Sequence, residues 1–387
     1  MSAVGSEIVT APDALNASEG VLRRIGDTIR SHRSLFELLA VYVVGVAALD
    51  AAIPERSILR LHVYDAVFAL MVEVYVLVFT AVFVIRELRH VPSDRGAFDW
   101  IWERLRARYL NVSRLTAFAC VAVYGRVFTD TFTSLKAAIP LIHPYAWDET
   151  FAGWDRALHG GRHPWELLQA FATPSGTLVI NFLYNAWMFV LFGVFMWQAW
   201  SANAALRRRF FLTFGLCWML LGSIAATGLS SAGPCYYARV TQAAEDPYAP
   251  LMKYLRQVDE RHGLWALGVQ EALWDAYVRP RDAASSVRTA KSSDDGNAGV
   301  EQMLEGISAM PSMHVAMSVL FALLGWSVNR RLGLAFTAFA LAIQVGSVHL
   351  GWHYAIDGYA STLAVTGLWF VVGRCVSDPE RDTTRAG

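Results

Sequence analysis

Lysine is nearly absent from this chain. Lys136, Lys253 and Lys291 are the only ones, and arginine supplies every other basic side chain. We read that as a bias of the gene before a feature of function. Net charge is absent too: 33 basic residues stand against 33 acidic ones, so no nucleic-acid partner is implied. Cysteine is scarce. Cys120, Cys217, Cys235 and Cys375 form no spacing motif, and three of them fall in or beside apolar runs, which argues against a disulfide framework and a zinc site alike. No internal repeat and no separate soluble domain is visible. What the chain has in excess is apolar residues: 55% are hydrophobic, and the mean hydropathy is +0.34. That is too apolar for an ordinary soluble domain and points to a polytopic membrane protein.

The expected fold class is an all-α polytopic integral membrane helical bundle. A bilayer core takes about 20 apolar residues per helix. On that criterion eight spans are predicted, at 35–53, 65–85, 115–135, 177–199, 210–229, 313–328, 332–348 and 356–373. Residues 1–34 read as a polar cytoplasmic segment without the layout of a cleavable signal peptide. Residues 35–112 read as two accessory spans with a cytoplasmic loop, 113–376 as the catalytic membrane domain, and 377–387 as a cytoplasmic tail.

Charge orients the bundle. One set of faces carries nineteen basic residues and the short loops opposite carry five, with the long 230–312 loop left out of the count. Both termini are therefore expected in the cytoplasm, and the opposite face in the periplasm of a bacterial inner membrane or an equivalent lumen. Two outward loops are large. Residues 137–176 hold Trp147, Asp148, Trp154, Asp155, Pro164 and Trp165, which reads as short helices at the headgroup level. The 230–312 loop opens with Gly233-Pro234-Cys235-Tyr236-Tyr237-Ala238-Arg239. One amphipathic helix is predicted at 251–273, followed by a polar, mobile run at 283–299.

The chemistry concentrates in 309–357. Ala309-Met310-Pro311-Ser312-Met313-His314 opens this stretch, and His353-Tyr354-Ala355-Ile356-Asp357 closes it. A chain that crosses a bilayer and returns brings both ends to one face, so His314, His353 and Asp357 are expected to meet there. Histidine exchanges protons near neutral pH. Asp357, four residues after His353, shares its helix face and can fix the imidazole tautomer, keeping the other ring nitrogen nucleophilic. Both helix starts offer free N–H groups to an anion. That arrangement suits attack on phosphorus without metal or cofactor. The alternative is a metal held by His314, His349, His353 and Asp357, although nothing has zincin spacing.

Pro-Ser-x-His followed by His-x-x-x-Asp resembles the type-2 phosphatidic acid phosphatase superfamily. Within it, the sequence around His314 and His353 is most similar to the inositol phosphorylceramide synthase branch, and sphingomyelin synthases share the His-His-Asp logic. The resemblance is specific over 309–361 and diffuse over 130–240. It implies that His353 is the nucleophile forming a phosphohistidine, that Asp357 orients it, and that His314 protonates the leaving oxygen. It implies a lipid phosphate or phospholipid substrate in the bilayer, and either water or a lipid or polyol hydroxyl as acceptor. Two departures stand out. The superfamily's arginine six residues before the second histidine is Ser347 here. The only Arg-Pro pair, Arg279-Pro280, has Ala272 seven residues before its arginine where the pattern has lysine. The phosphate cation is therefore sought in Arg239 first, then in Lys136 and Arg279. Ser312, Tyr236, Tyr237, Asn185 and His349 complete the expected substrate-binding set, with a solvated position as the other reading of His349. Arg126 and Asp130, four apart in the third span, are expected to pair structurally. The missing superfamily cations favour headgroup transfer over hydrolysis; a non-enzymatic transporter is the third reading, against which stands a cluster at the membrane surface.

Overall fold

A computed structural model of the chain describes residues 11–52, 65–169, 172–278 and 306–376. Every regular element among them is helical. In chain order these are α1 (Ala11–Ser31), α2 (Arg33–Ala52), α3 (Asp65–Leu88), α4 (Ala97–Arg108) and α5 (Val112–Ile142). After them come α6 (Asp148–Leu158), α7 (Pro164–Gln169), α8 (Pro174–Ala199) and α9 (Ala204–Met219). A π turn (Leu220–Ala225) joins α9 to α10 (Ala226–Gly228). Then follow α11 (Tyr237–Val240), α12 (Ala249–His262), α13 (Trp265–Val278), α14 (Met313–Val328), α15 (Arg330–His349) and α16 (Ala355–Cys375).

Among the described residues, six segments are long and apolar enough to cross a bilayer: α2, Phe68–Leu88 of α3, α8, Ala204–Gly228, α15 and α16. The protein is thus an all-α polytopic integral membrane protein. The other two expected spans fall short for physical reasons. α5 is 31 residues long but carries Arg114, Arg126, Asp130 and Lys136. α14 has only 16 residues. Both are nevertheless central: α5 packs on α1, α2, α8 and α9, and α14 on α15, α16, α9 and α8. Such helices are solvated by protein, so they need neither full length nor full apolarity. Arg126 and Asp130 do pair along α5.

The hairpin at 309–357 forms as expected. Asn329 ends α14 and caps α15, its side chain accepting the Leu332 N–H at 2.9 Å. α15 therefore returns to the end where α14 began, and the Ser312 N–H donates to the Asp357 carbonyl at 3.3 Å.

In the long loop, the single helix predicted at 251–273 is two. Gly263, at φ +72°, breaks it between α12 and α13. Its N–H bonds back to the Asp259 carbonyl at 2.8 Å, a C-terminal cap that only glycine adopts without steric cost. The 137–176 loop holds the short helices α6 and α7. The polar run at 283–299 lies outside the described residues.

Candidate active site

The start of α14 sets His314. Ser312 caps the helix, its hydroxyl accepting the Val315 N–H at 3.4 Å and its carbonyl the Ala316 N–H at 2.9 Å. The His314 ring then lies flat on Tyr184 (centroids 4.5 Å, planes 19° apart) and beside Trp187 at 4.2 Å, both from α8. The Trp187 indole N–H donates to the His314 carbonyl at 3.0 Å. No hydrogen bond reaches the His314 ring among the described residues.

His353 stands on the turn between α15 and α16. The Ser347 carbonyl accepts the N–H groups of Trp352 and His353, each at 3.0 Å. Ser347, where the superfamily has arginine, is fully buried and serves this turn. His353 Nδ1 faces two acceptors, the Ala309 carbonyl at 2.7 Å and Asp357 Oδ2 at 3.3 Å. Neither a carbonyl nor a carboxylate can donate, so Nδ1 carries a hydrogen, and in the neutral ring Nε2 is the nitrogen with the lone pair. The backbone carbonyl, the nearer partner, is a contact that motif spacing could not reveal. The two histidine rings are 6.2 Å apart by centroid.

Asp357 is fully buried. Its Oδ2 also accepts the Tyr354 N–H at 3.0 Å, while Oδ1 is buried without a hydrogen-bond partner among the described residues. The start of α16 is not the free anion site expected from sequence. Asp155 of α6 occupies it, accepting the N–H groups of Ala355 (2.7 Å) and Ile356 (2.9 Å). Burial pushes the Asp155 carboxyl up to about 6 against the pull of those two N–H groups.

Two turns of α6 earlier, Asp148 makes a second clamp. It accepts the Gly233 N–H at 2.8 Å, the Ala232 N–H at 3.0 Å and the Tyr354 hydroxyl at 2.9 Å. Burial raises its carboxyl above the ordinary range too, with the Ala232 and Gly233 N–H groups opposing. Gly233 is required here: at φ +97°, a Cβ would lie 2.5 Å from the Trp352 carbonyl. The 230–235 turn thus docks on the stem of His353, with the Cys235 N–H on the Gly351 carbonyl at 2.8 Å and the Ala309 N–H on the Ser231 carbonyl at 2.9 Å. Asp148 and Asp155 were legible only as headgroup-level residues. Their spacing of seven, which puts both on one helix face, was the signal available.

The expected substrate-binding residues scatter. Lys136, in the last third of α5, is close enough to act electrostatically on His314, and its ammonium makes no hydrogen bond or ion pair among the described residues. Arg239 forks onto Glu271 at 2.7 and 2.9 Å and lies 5.0 Å from the Trp274 ring centre. Tyr236 donates to the Gln270 carbonyl at 2.7 Å, and Tyr237 packs on Tyr248. Asn185 donates to the Asn181 carbonyl at 2.7 Å. Ser312 acts as the cap already described. Arg279 lies outside the described residues. His349 is not solvated: it is buried, with Nε2 2.9 Å from the Thr177 hydroxyl. That bond ties α15 to α8.

No curated protein and no solved structure gives a significant match to the chain. A family model described as PAP2 superfamily matches residues 149–371, more than half of the chain. The matched range begins one residue after Asp148 in α6, takes in Asp155, and runs through His314, His353 and Asp357. On this match and this architecture, the chain belongs to the PAP2 superfamily and is a membrane enzyme of the phosphatase or phosphotransferase type.

Proposed function

We propose that the protein transfers a phosphorylated headgroup between lipids, through a phosphohistidine, on the extracytoplasmic face. One observation carries the reading: His353 Nδ1 is held by the Ala309 carbonyl and Asp357, which leaves Nε2 as a fixed, unprotonated nucleophile. Nε2 attacks phosphorus and the bond to the lipid oxygen breaks. His314 gives that oxygen its proton. An acceptor hydroxyl then returns a proton to His314 as its oxygen attacks phosphorus and frees Nε2. The phosphoryl oxygens need donors where Ser347 replaces arginine. Lys136 supplies the charge. The Tyr184 hydroxyl and the Trp352 indole N–H, both buried without partners among the described residues, supply hydrogen bonds that strengthen as charge develops. The burial of His353 and Asp357 and the aromatic wall of Tyr184, Trp187 and Trp352 favour a hydroxyl acceptor over free water. With water as acceptor, the same steps make a lipid phosphate phosphatase.

Lipid mass spectrometry of cells with and without the gene separates the two. Loss of one headgroup class with accumulation of its hydroxyl acceptor fits transfer. Accumulation of a phosphorylated lipid alone fits hydrolysis. In the purified enzyme, denaturing quench with labelled substrate should trap an acid-labile phosphohistidine in the native chain and none in His353→Ala. A phosphoenzyme that persists in His353→Ala overturns the assignment.

A further inference from the structure

The end of the bundle opposite the histidines holds a concavity that the proposed reaction does not use. A cavity of about 460 Å³ lies between α1, the start of α5 and the α8–α9 turn. Arg24, Arg114 and Arg207 line it, with Ser113 and Ser201 between them and Asp27 as the single carboxylate. Asp27 is paired with Arg30 at 2.7 Å, outside the cavity lining. Arg207 is nine-tenths buried and spends one nitrogen on the Ser201 carbonyl at 2.6 Å. Arg114 lies 5.5 Å from the Tyr109 ring centre and is close enough to Arg207 for the two charges to act on each other. Among the described residues, none of the three arginines has a carboxylate partner. α5 and α9 also begin at this cavity, and their positive ends add to the same field.

Like charges held together around a concavity, one of them nearly buried, cost energy unless an anion neutralises them. Guanidinium groups present forked donors suited to phosphate oxygens. We propose that this cavity binds a phosphate-bearing anion, either free phosphate or the headgroup of an anionic phospholipid at that membrane surface. It is a separate site from the His353 centre, so it stands or falls independently of the catalytic reading.

The test uses the full chain with Cys375→Ser as parent and Ala202→Cys as reporter, since Ala202 lines the cavity and is exposed. The rate of thiol labelling at position 202 is read in detergent, with inorganic phosphate against chloride at equal ionic strength. It is read again in nanodiscs of phosphatidylcholine with and without phosphatidylglycerol. Slowing by inorganic phosphate identifies a free-anion site, and slowing by phosphatidylglycerol alone identifies a lipid headgroup. Either protection should weaken by about tenfold or more when Arg24→Gln and Arg114→Gln remove two charge-assisted contacts. Arg207 is left intact because it also holds the Ser201 turn. His353→Ala should keep the protection. If neither anion slows labelling, or if slowing survives loss of both arginines, the proposal is wrong.

Discussion

α14 and α16 both begin beside His314 and His353, yet the two helix starts are finished in opposite ways. At α16 the N–H groups of Tyr354, Ala355 and Ile356 are taken by Asp357 and Asp155, and that of Asp357 by the Tyr354 carbonyl. That end is closed and lined by carboxylates. At α14 the cap is the neutral Ser312, and the N–H groups of Met313 and His314 donate to no acceptor among the described residues. On the proposed function, a phosphoryl group would be repelled from the first and accommodated at the second. One helix start therefore holds the proposed nucleophile, and the other is left open to charge. Two helices that look alike in sequence divide the work because of what a third, α6, places against one of them.

The sharpest way to break this division is at the chemistry. Asp357→Asn should slow turnover by orders of magnitude on every phosphate ester, because an amide cannot support the His353 imidazole as a carboxylate does. His314→Ala should cost about 10²–10⁴-fold on a lipid substrate, the usual worth of a general acid. An aryl phosphate ester, whose oxygen departs with little protonation, should be partly spared. Steady-state rates on the two substrates check this; equal slowing of both by His314→Ala together with a leaving-group dependence in His353→Ala would mean the histidines are reversed.

Opening the closed end comes next. Asp155→Asn leaves one of the two N–H groups of α16 facing an amide NH₂, a loss of about 1–3 kcal/mol for an unsatisfied buried donor. The variant should melt earlier in detergent and lose activity with it. Its pH behaviour is diagnostic. The Asp155 carboxyl sits at about 6 in the fold, against an ordinary 3.8. Between those values the folded chain holds a proton that the unfolded chain has released. This residue's contribution to stability is therefore lost as pH rises from the lower value to the higher. Melting temperatures across that window should carry this slope in the native chain and lack it in Asp155→Asn; an unchanged slope would place the titration elsewhere.

At the open end, Ser312→Ala removes only a neutral cap and should cost about 1 kcal/mol, the typical worth of an N-cap. A thermal shift larger than that of Asp155→Asn would contradict the ranking of the two ends. The smallest effect is expected at Arg239. Its charge is already matched by Glu271 on a partly exposed surface, and such pairs contribute at most about 1 kcal/mol. Arg239→Gln should leave the rate near native while Lys136→Met lowers it; the reverse outcome would return Arg239 to the role that its position after the fifth span first implied.

Much of this was legible in the chain. The helical membrane architecture followed from long apolar runs. The meeting of His314, His353 and Asp357 followed from two apolar segments joined by a short turn, which leaves one topology. Legibility failed wherever a residue's partner lies far along the chain. His349 reads as solvated because it follows an apolar span, but Thr177 and Tyr254, on other helices, bury it. Arg239 reads as a free cation because Glu271 is 32 residues away. The 251–273 segment reads as one helix because periodicity does not register a single glycine in the left-handed region.

By itself, the sequence determined the helical membrane architecture and the meeting of His314, His353 and Asp357. Each of these depends on local composition or on the forced return of a chain that crosses a bilayer. Tertiary structure alone decided the protonated nitrogen of His353, through a backbone carbonyl 44 positions away. It also decided which helix start stays open, through Asp155, 200 positions before Ala355. Hydrogen bonds are satisfied in space, and a buried N–H takes the nearest acceptor that packing delivers, whatever its place in the chain.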